Sequence, residues 1–143
     1  MIFILMTVEL IYLASWSFKN HPFQFVYFNP IFKSQTKNKF DLDYWGMSNK
    51  FVLQKILKMN KNQPFKVATI SFTNLNDSLR VLPSNEREKI SIVYSVNQAD
   101  YVINNYMKKW SSTDGEENLA NDFKVVYNLI IDENIINTVY GRK

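Results

Sequence analysis

Residues 66–106 read KVATISFTNLNDSLRVLPSNEREKISIVYSVNQADYVINNY, and the alternation of apolar runs with polar punctuation here decides the fold. Lys66–Phe72 is a short apolar run of the length and composition of a buried strand. Asn74–Val81 is expected to be a short helix capped by Asn74 or Asn76, because a side-chain oxygen at that position can accept from a free N–H of the first turn. Pro83–Lys89 reads as a polar connector and Ile90–Val96 as a second strand. Gln98–Asp100 turns the chain into Tyr101–Tyr106, a third strand.

Working outward, Ser48 is the expected N-cap of a helix running to Met59. On that helix Val52, Leu53, Ile56 and Leu57 share one face, while Lys50, Gln54, Lys55 and Lys58 point away from it. Asn60–Pro64 ends it. Gln24–Phe28 alternates weakly and suits a short strand or an interfacial segment, followed by a turn at Asn29-Pro30 and a polar loop over Lys33–Lys39. On the far side, the polar stretch 108–122 reads as loop, and Phe123–Ile131 and Ile135–Tyr140 flank Asp132-Glu133-Asn134 as a hairpin. Strand, helix, strand, helix, strand implies crossover connections. The expected fold is therefore a small three-layer α/β domain with a mostly parallel sheet and a C-terminal antiparallel hairpin.

Ahead of this domain, Met1–Trp16 is almost continuously apolar and broken only by Glu9. A bilayer span needs about 17–25 such residues, and extension to Phe18 reaches the lower edge of that range. Glu9 facing lipid at the centre would cost roughly 2.5–3.5 kcal/mol. A secretory signal would carry a basic start and a small-residue cleavage site, and no Lys or Arg precedes residue 19. Three readings stay open: the end of a transmembrane helix, a complete but short anchor, or a buried core helix. Trp16, Phe18 and Lys19 have the character of an interfacial anchor set. The expected division is an apolar helix over 1–18 and a soluble domain over 19–143.

The chain has 143 residues, one domain's worth, with 46% hydrophobic and 21% charged residues, enough to build a packed core. Cysteine is absent, which excludes disulfides, Cys-ligated metals and thiol catalysis. The net charge of +4 is uneven: residues 1–66 hold nine Lys against three acids, and residues 67–143 hold eight basic against ten acidic residues. Lys19, Lys33, Lys37 and Lys39 follow the apolar segment, where they would attract anionic headgroups or simply keep a loop soluble. They are not interleaved with Arg on a helix, and the second half is acidic, so nucleic acid is not an expected partner.

Motifs with chemical meaning are few. Asp41-Leu42-Asp43 is a literal Asp-x-Asp, a pair that in soluble nucleotide-sugar transferases holds a divalent cation on a diphosphate. Here it precedes every α/β element, and such a short pattern arises readily by chance. His21 is the only histidine, so a multi-His metal site is excluded, and a capping or interfacial role beside Pro22 is favoured over general-base work. Glycine occurs only at 46, 115 and 141, which rules out a Walker loop, a dinucleotide fingerprint and a Gly-x-Ser-x-Gly elbow. No cofactor is expected. Tyr44-Trp45-Gly46 offers rings that could stack on a sugar, with core packing the favoured reading. Asn76-Asp77-Ser78 matches a glycosylation sequon.

Two blocks carry a family resemblance: His21-Pro22-Phe23-Gln24-Phe25-Val26-Tyr27-Phe28-Asn29, and Phe40-x-x-Asp43-Tyr44-Trp45-Gly46-x-Ser48. In this order, directly after an apolar helix, they resemble the start of the C-terminal soluble domain of polytopic GT-C-type bacterial glycosyltransferases, the dolichyl-phosphate-mannose and aminoarabinose transferase relatives. Ala99–Tyr106 and the hairpin to Tyr140 also resemble later parts of that domain, so the likeness spans about residues 15–143. Phe23 and Phe25 stand where the family pattern often has Tyr. The resemblance implies His21, Tyr27, Asn29, Asp43, Tyr44, Trp45 and Gly46 as motif positions. It also implies an extracytoplasmic, periplasmic-side domain that is not catalytic by itself, because the family's catalytic acid lies in an upstream loop that this sequence lacks. Membrane lipid and a polytopic transferase subunit are the implied partners. A membrane-associated interaction module and a small metal-dependent transferase using Asp41 and Asp43 are the alternatives.

Overall fold

The structure is a computed structural model, and it describes residues 2–27, 40–107 and 119–143. Asn29, the Asn29-Pro30 turn, Lys33, Lys37, Lys39 and most of the 108–122 loop lie outside the described residues. The elements in chain order are α1 (Ile2–Lys19), α2 (Met47–Met59), β1 (Phe65–Thr69), α3 (Leu75–Arg80), α4 (Ser84–Arg87), β2 (Ile90–Ile92), β3 (Tyr101–Asn104), α5 (Leu119–Asp122), β4 (Phe123–Ile131) and β5 (Asn134–Arg142). Single 3-10 turns occupy Gln24–Val26 and Val96–Gln98.

One five-stranded sheet runs β2-β1-β3-β5-β4, so the fold is mixed α/β as expected. The expected parallel character is met only in part. β1 pairs parallel with β2 and with β3, whereas β5 pairs antiparallel with both β3 and β4. The nine-residue hairpin strands extend the sheet more than a closing flourish would, and they supply its second half.

α2 shows the expected face: Val52, Leu53, Ile56 and Leu57 are buried, and Lys55 and Lys58 are exposed. With Leu75 and Leu82 they cover Phe65, Val67, Ile103 and Val139 on one side of the sheet. The other side buries Ala68 and Val102 beneath Ala99, Leu119 and Phe123, with Val93 and Val96 at the margin. That third layer is therefore made by the β2–β3 connection and the one-turn α5, not by a long helix.

The strands end earlier than their apolar runs because side chains take over the backbone's bonding. Thr69 Oγ1 accepts from Ser71 N at 3.1 Å, a local turn that stops β1. Asn104 Oδ1 accepts from Tyr106 N at 2.8 Å, and Tyr106 adopts a positive φ of 61°, so β3 stops at Asn104 and not at Tyr106. β2 is also shorter than its apolar run, covering Ile90–Ile92, and Val96 falls in the 3-10 turn that follows. The polar connector 83–89 contains α4, one helical turn after Pro83. Asn74 caps α3 through Asn76 N at 3.0 Å.

In the hairpin, Asp132 (φ 47°) and Glu133 (φ 69°) form a two-residue turn with both central residues left-handed, the twist that matches paired strands. Register shifts fall between Val125 and Tyr127 and between Leu129 and Ile130. They bend the hairpin and let Val126 and Tyr127 both reach the α2 side of the sheet.

α1 is not a core helix. It is 18 residues long with a mean hydropathy of 1.5, and Trp16 is its one buried residue. Ile2 to Met6, Val8, Leu10 and Ile11 are each more than half exposed. It reaches the domain through Trp16, whose ring meets Tyr27 edge-on at 4.9 Å. From there Phe23 and Val26 plug a third apolar cluster with Ile136, Leu42, Phe51, Leu129 and Ile131. Gln24–Phe28 is thus a 3-10 plug through Val26, not a strand, with Phe28 outside the described residues.

These packing roles separate two leucine-type truncations. Ile56→Ala removes a fully buried side chain and should lower unfolding stability by about 2–5 kcal/mol. Leu10→Ala, at 68% exposure in α1, should leave the melting temperature of the detergent-solubilised full chain unchanged. Thermal unfolding of both variants checks the contrast.

Candidate functional site

The C-terminal ends of the parallel strands are where open α/β sheets gather their polar chemistry, and here that end holds a closed network around one carboxylate. Gly46, at φ 66°, turns the chain into α2 and occupies the N-cap position expected of Ser48. A side chain at Gly46 would sit 2.9 Å from the Thr73 Cβ, so both the turn and the contact with the loop after β1 require glycine. The capping oxygens come from Asp43, three residues earlier. Its Oδ1 and Oδ2 accept from Ser48 N at 3.3 and 3.2 Å, and Oδ2 also accepts from Ser48 Oγ at 2.5 Å.

Asn105, just past β3, donates from Nδ2 to the Asp43 carbonyl oxygen at 2.9 Å and to Oδ2 at 3.1 Å. Thr73 Oγ1 donates to Asn105 Oδ1 at 3.2 Å and accepts from Asn49 Nδ2 at 3.0 Å. Asn137 on β5 closes the ring, donating to Ser48 Oγ at 2.6 Å and Asn49 Oδ1 at 2.9 Å. Asp43, Ser48, Asn49, Asn105 and Asn137 are all buried. The Asn137 Oδ1 is a buried oxygen with no partner among the described residues.

Burial pushes the Asp43 carboxyl above its ordinary value, and the hydrogen bonds from Ser48 and Asn105 offset part of that rise. No Lys or Arg is hydrogen-bonded or ion-paired to it among the described residues. A buried acid held by neutral donors is costly to ionise, so this network is built for shape rather than for a charged ligand.

The remaining expected positions are distributed elsewhere. Asp41 is exposed while Asp43 is buried, so the Asp-x-Asp pair does not converge on a shared space. Among the described residues there is no group of three or more acids and histidines able to hold a metal ion. His21 is exposed, follows α1, is joined to Pro22 by a cis bond, and accepts at Nδ1 from Gln24 Nε2 at 2.7 Å. Tyr27 packs on Trp16. Tyr44 and Trp45, expected in the core, are instead surface rings at 57% and 87% exposure, stacked edge-on at 5.0 Å. The tight turn at Gly46 directs Asp43 inward, and its two neighbours project outward. The described family-like motif positions therefore split between the segment that follows α1 and the turn that leads into α2.

Ser48 was expected only as a helix cap and a motif position, and Asn49, Thr73, Asn105 and Asn137 were given no role by sequence reasoning. Their signal is polar residues set against apolar runs, as in Val102-Ile103-Asn104-Asn105 and Ile135-Ile136-Asn137. At the opposite end of the sheet a cleft of about 460 Å³ opens between Asn60, Gln63, Phe65, Asp100 and Arg142. Its charged groups already serve the fold. Asp100 accepts from Lys66 N at 2.7 Å, and the Arg142 guanidinium donates to the carbonyls of Asn97 and Ala99 at 2.8 and 2.7 Å.

Comparison with protein-family models, with curated proteins and with solved structures found no match for this chain.

Asp43→Ala leaves the Ser48 N–H and hydroxyl without their acceptor, reduces Asn105 to its bond with the residue-43 carbonyl and uncaps α2, and should cost about 2–4 kcal/mol in chemical denaturation. A raised folded-state value means that the native protein holds this proton to higher pH than the unfolded chain does. Stability from the group is then complete below about pH 4 and is lost as pH climbs through the folded value. Asp43→Asn does not titrate, so the stability gap between wild type and variant should narrow over that rise. Denaturation series from pH 3 upward measure it, and a constant gap would mean that Asp43 titrates normally.

Proposed function

We propose that this chain is a membrane-tethered, non-catalytic α/β domain. It would act as an accessory or C-terminal extracytoplasmic part of a lipid-linked-sugar-dependent glycosyltransferase of the GT-C kind. The observation that carries the tether is α1: 18 residues, apolar, exposed along nearly its whole length, and joined to the domain at Trp16. A core helix would be covered and this one is not, while a bilayer would cover it at about 25 cal/mol per Å2 of apolar surface. Glu9 is the one charge in it ahead of Lys19 at its end, tolerable near a protein partner and costly against lipid.

The non-catalytic part of the reading is supported by what the polar residues do. The buried carboxylate is spent on a helix cap, the lone histidine on a neighbouring glutamine, and the acidic pair is split between surface and interior. The transferase assignment and the periplasmic side rest on the resemblance of the two aromatic blocks.

Membranes carrying the full chain should retain it through alkaline carbonate washing. Leu10→Arg, costing about 2.5–3.5 kcal/mol at a helix centre, should move a substantial fraction into the supernatant. Mild-detergent purification should bring down a polytopic membrane protein, and the purified chain alone should transfer no sugar from a polyprenyl-phosphate donor. Transfer by the chain alone would overturn the reading.

A further inference from the structure

The loops that leave the parallel strands end in exposed aromatic rings. Phe72 follows β1, Tyr94 follows β2 and Tyr106 follows β3, at 64%, 94% and 40% exposure. Tyr44 and Trp45 join them from the turn before α2, because that turn is bonded to the same loops. Asn105 Nδ2 donates to the Asp43 carbonyl, and the Gly46 turn lies against Thr73. Phe72 N donates to the Met107 carbonyl at 3.0 Å, which ties the first and third loops together. These large rings thus stand at one end of the sheet, and Tyr106 is held there, its hydroxyl 2.5 Å from that of Thr138.

α1 attaches at the same end. β5 runs antiparallel to β3, with Asn104 opposite Thr138, so the start of β5 lies at the C-terminal end of the parallel strands. Ile136 at that start packs on Phe23 and Val26, the plug that follows α1. Leu42 and Phe51, beside the aromatic turn, line the same cluster.

We infer that this aromatic end of the domain lies in the headgroup layer of the bilayer that holds α1, with Trp45, Tyr44, Phe72 and Tyr94 as interfacial anchors. The inference rests on the tether proposed above and adds an orientation to it: the sheet stands on the membrane by its C-terminal strand ends, and the cleft beside Arg142 faces away. Amphipathic rings favour this depth because their faces leave water while their polar atoms stay hydrated. The hairpin tip at this end carries Asp132 and Glu133, so the surface does not depend on anionic lipid, and zwitterionic vesicles suffice.

The chain has no cysteine, so a single introduced one is a unique labelling site. Full-length Trp45→Cys, Tyr94→Cys, Gln63→Cys and Leu10→Cys variants would each carry an NBD probe in phosphatidylcholine vesicles. Trp45 and Tyr94 are exposed, so their replacement leaves the core intact. At 45 and 94 the probe should show a blue shift, a severalfold rise in emission, and quenching by lipids labelled near the headgroup. At 63, on the far end, it should report water. The probe at 10 reports the tether itself. A lipid-buried probe at 10 with aqueous probes at 45 and 94 overturns the orientation and leaves the tether standing, as would be seen if these rings met a protein partner instead. An aqueous probe at 10 overturns both.

Discussion

The buried Asp43 carboxylate is the constraint on which the rest of this domain depends. Four segments distant in sequence meet around it: the turn before α2, the loop after β1, the end of β3 and the start of β5. The first, with the opening turn of α2, brings Asp43, Ser48 and Asn49, and the other three bring Thr73, Asn105 and Asn137, each bonded to at least one member of that set. A carboxylate in such a place has no cheap alternative partner, since removing it from water costs several kcal/mol unless donors surround it. The network therefore admits one arrangement of the four segments. It fixes where α2 crosses the sheet far more narrowly than the aliphatic contacts of Val52, Leu53 and Ile56 do by themselves, because apolar contacts tolerate small slides and hydrogen bonds at 2.5–3.2 Å do not.

Much of the fold was legible because its largest signals are periodic. The 3.6-residue repeat of α2, the β-branched runs of β1, β2 and β3, and the two long strands around Asp132-Glu133 are local properties of the chain. Strand ends were less legible. Phe72, Tyr94 and Tyr106 prolong their apolar runs, yet each lies past the end of its strand, and before Phe72 and Tyr106 this is because Thr69 and Asn104 satisfy the backbone locally. The same short-range chemistry moved the α2 cap from Ser48 to Gly46 and Asp43. A residue that looks like a strand's last apolar position can thus be a loop's exposed ring, and no periodicity distinguishes the two.

The network itself was nearly invisible in sequence, for a different reason. Its bonds join residues up to 89 positions apart, and Ser48 to Asn137 is such a pair. Single asparagines in apolar runs are common and carry no local signature of what they will meet. Asp43 was noticed for its spacing to Asp41, a pattern suggesting metal, whereas its position is explained by Ser48 and Asn105. The exposed character of Tyr44 and Trp45 follows from the same turn: once Asp43 is directed inward and Gly46 is left-handed, the two residues between them have nowhere to go but out.

The irregularities in the β4–β5 hairpin bear on how many copies of this domain can share one surface. β4 is an edge strand nine residues long, with Val125 and Ile130 more than half exposed. A flat edge of that length and character invites sheet-to-sheet fusion with a neighbouring copy. Confinement to a membrane surface, as proposed above, would raise local concentration and favour such fusion. The register shifts at Val126 and near Leu129 break the edge into short offset pieces and increase its twist, and Lys124 adds a charge to the rim. The distortion that shapes the interior thereby also insulates each copy from lateral polymerisation.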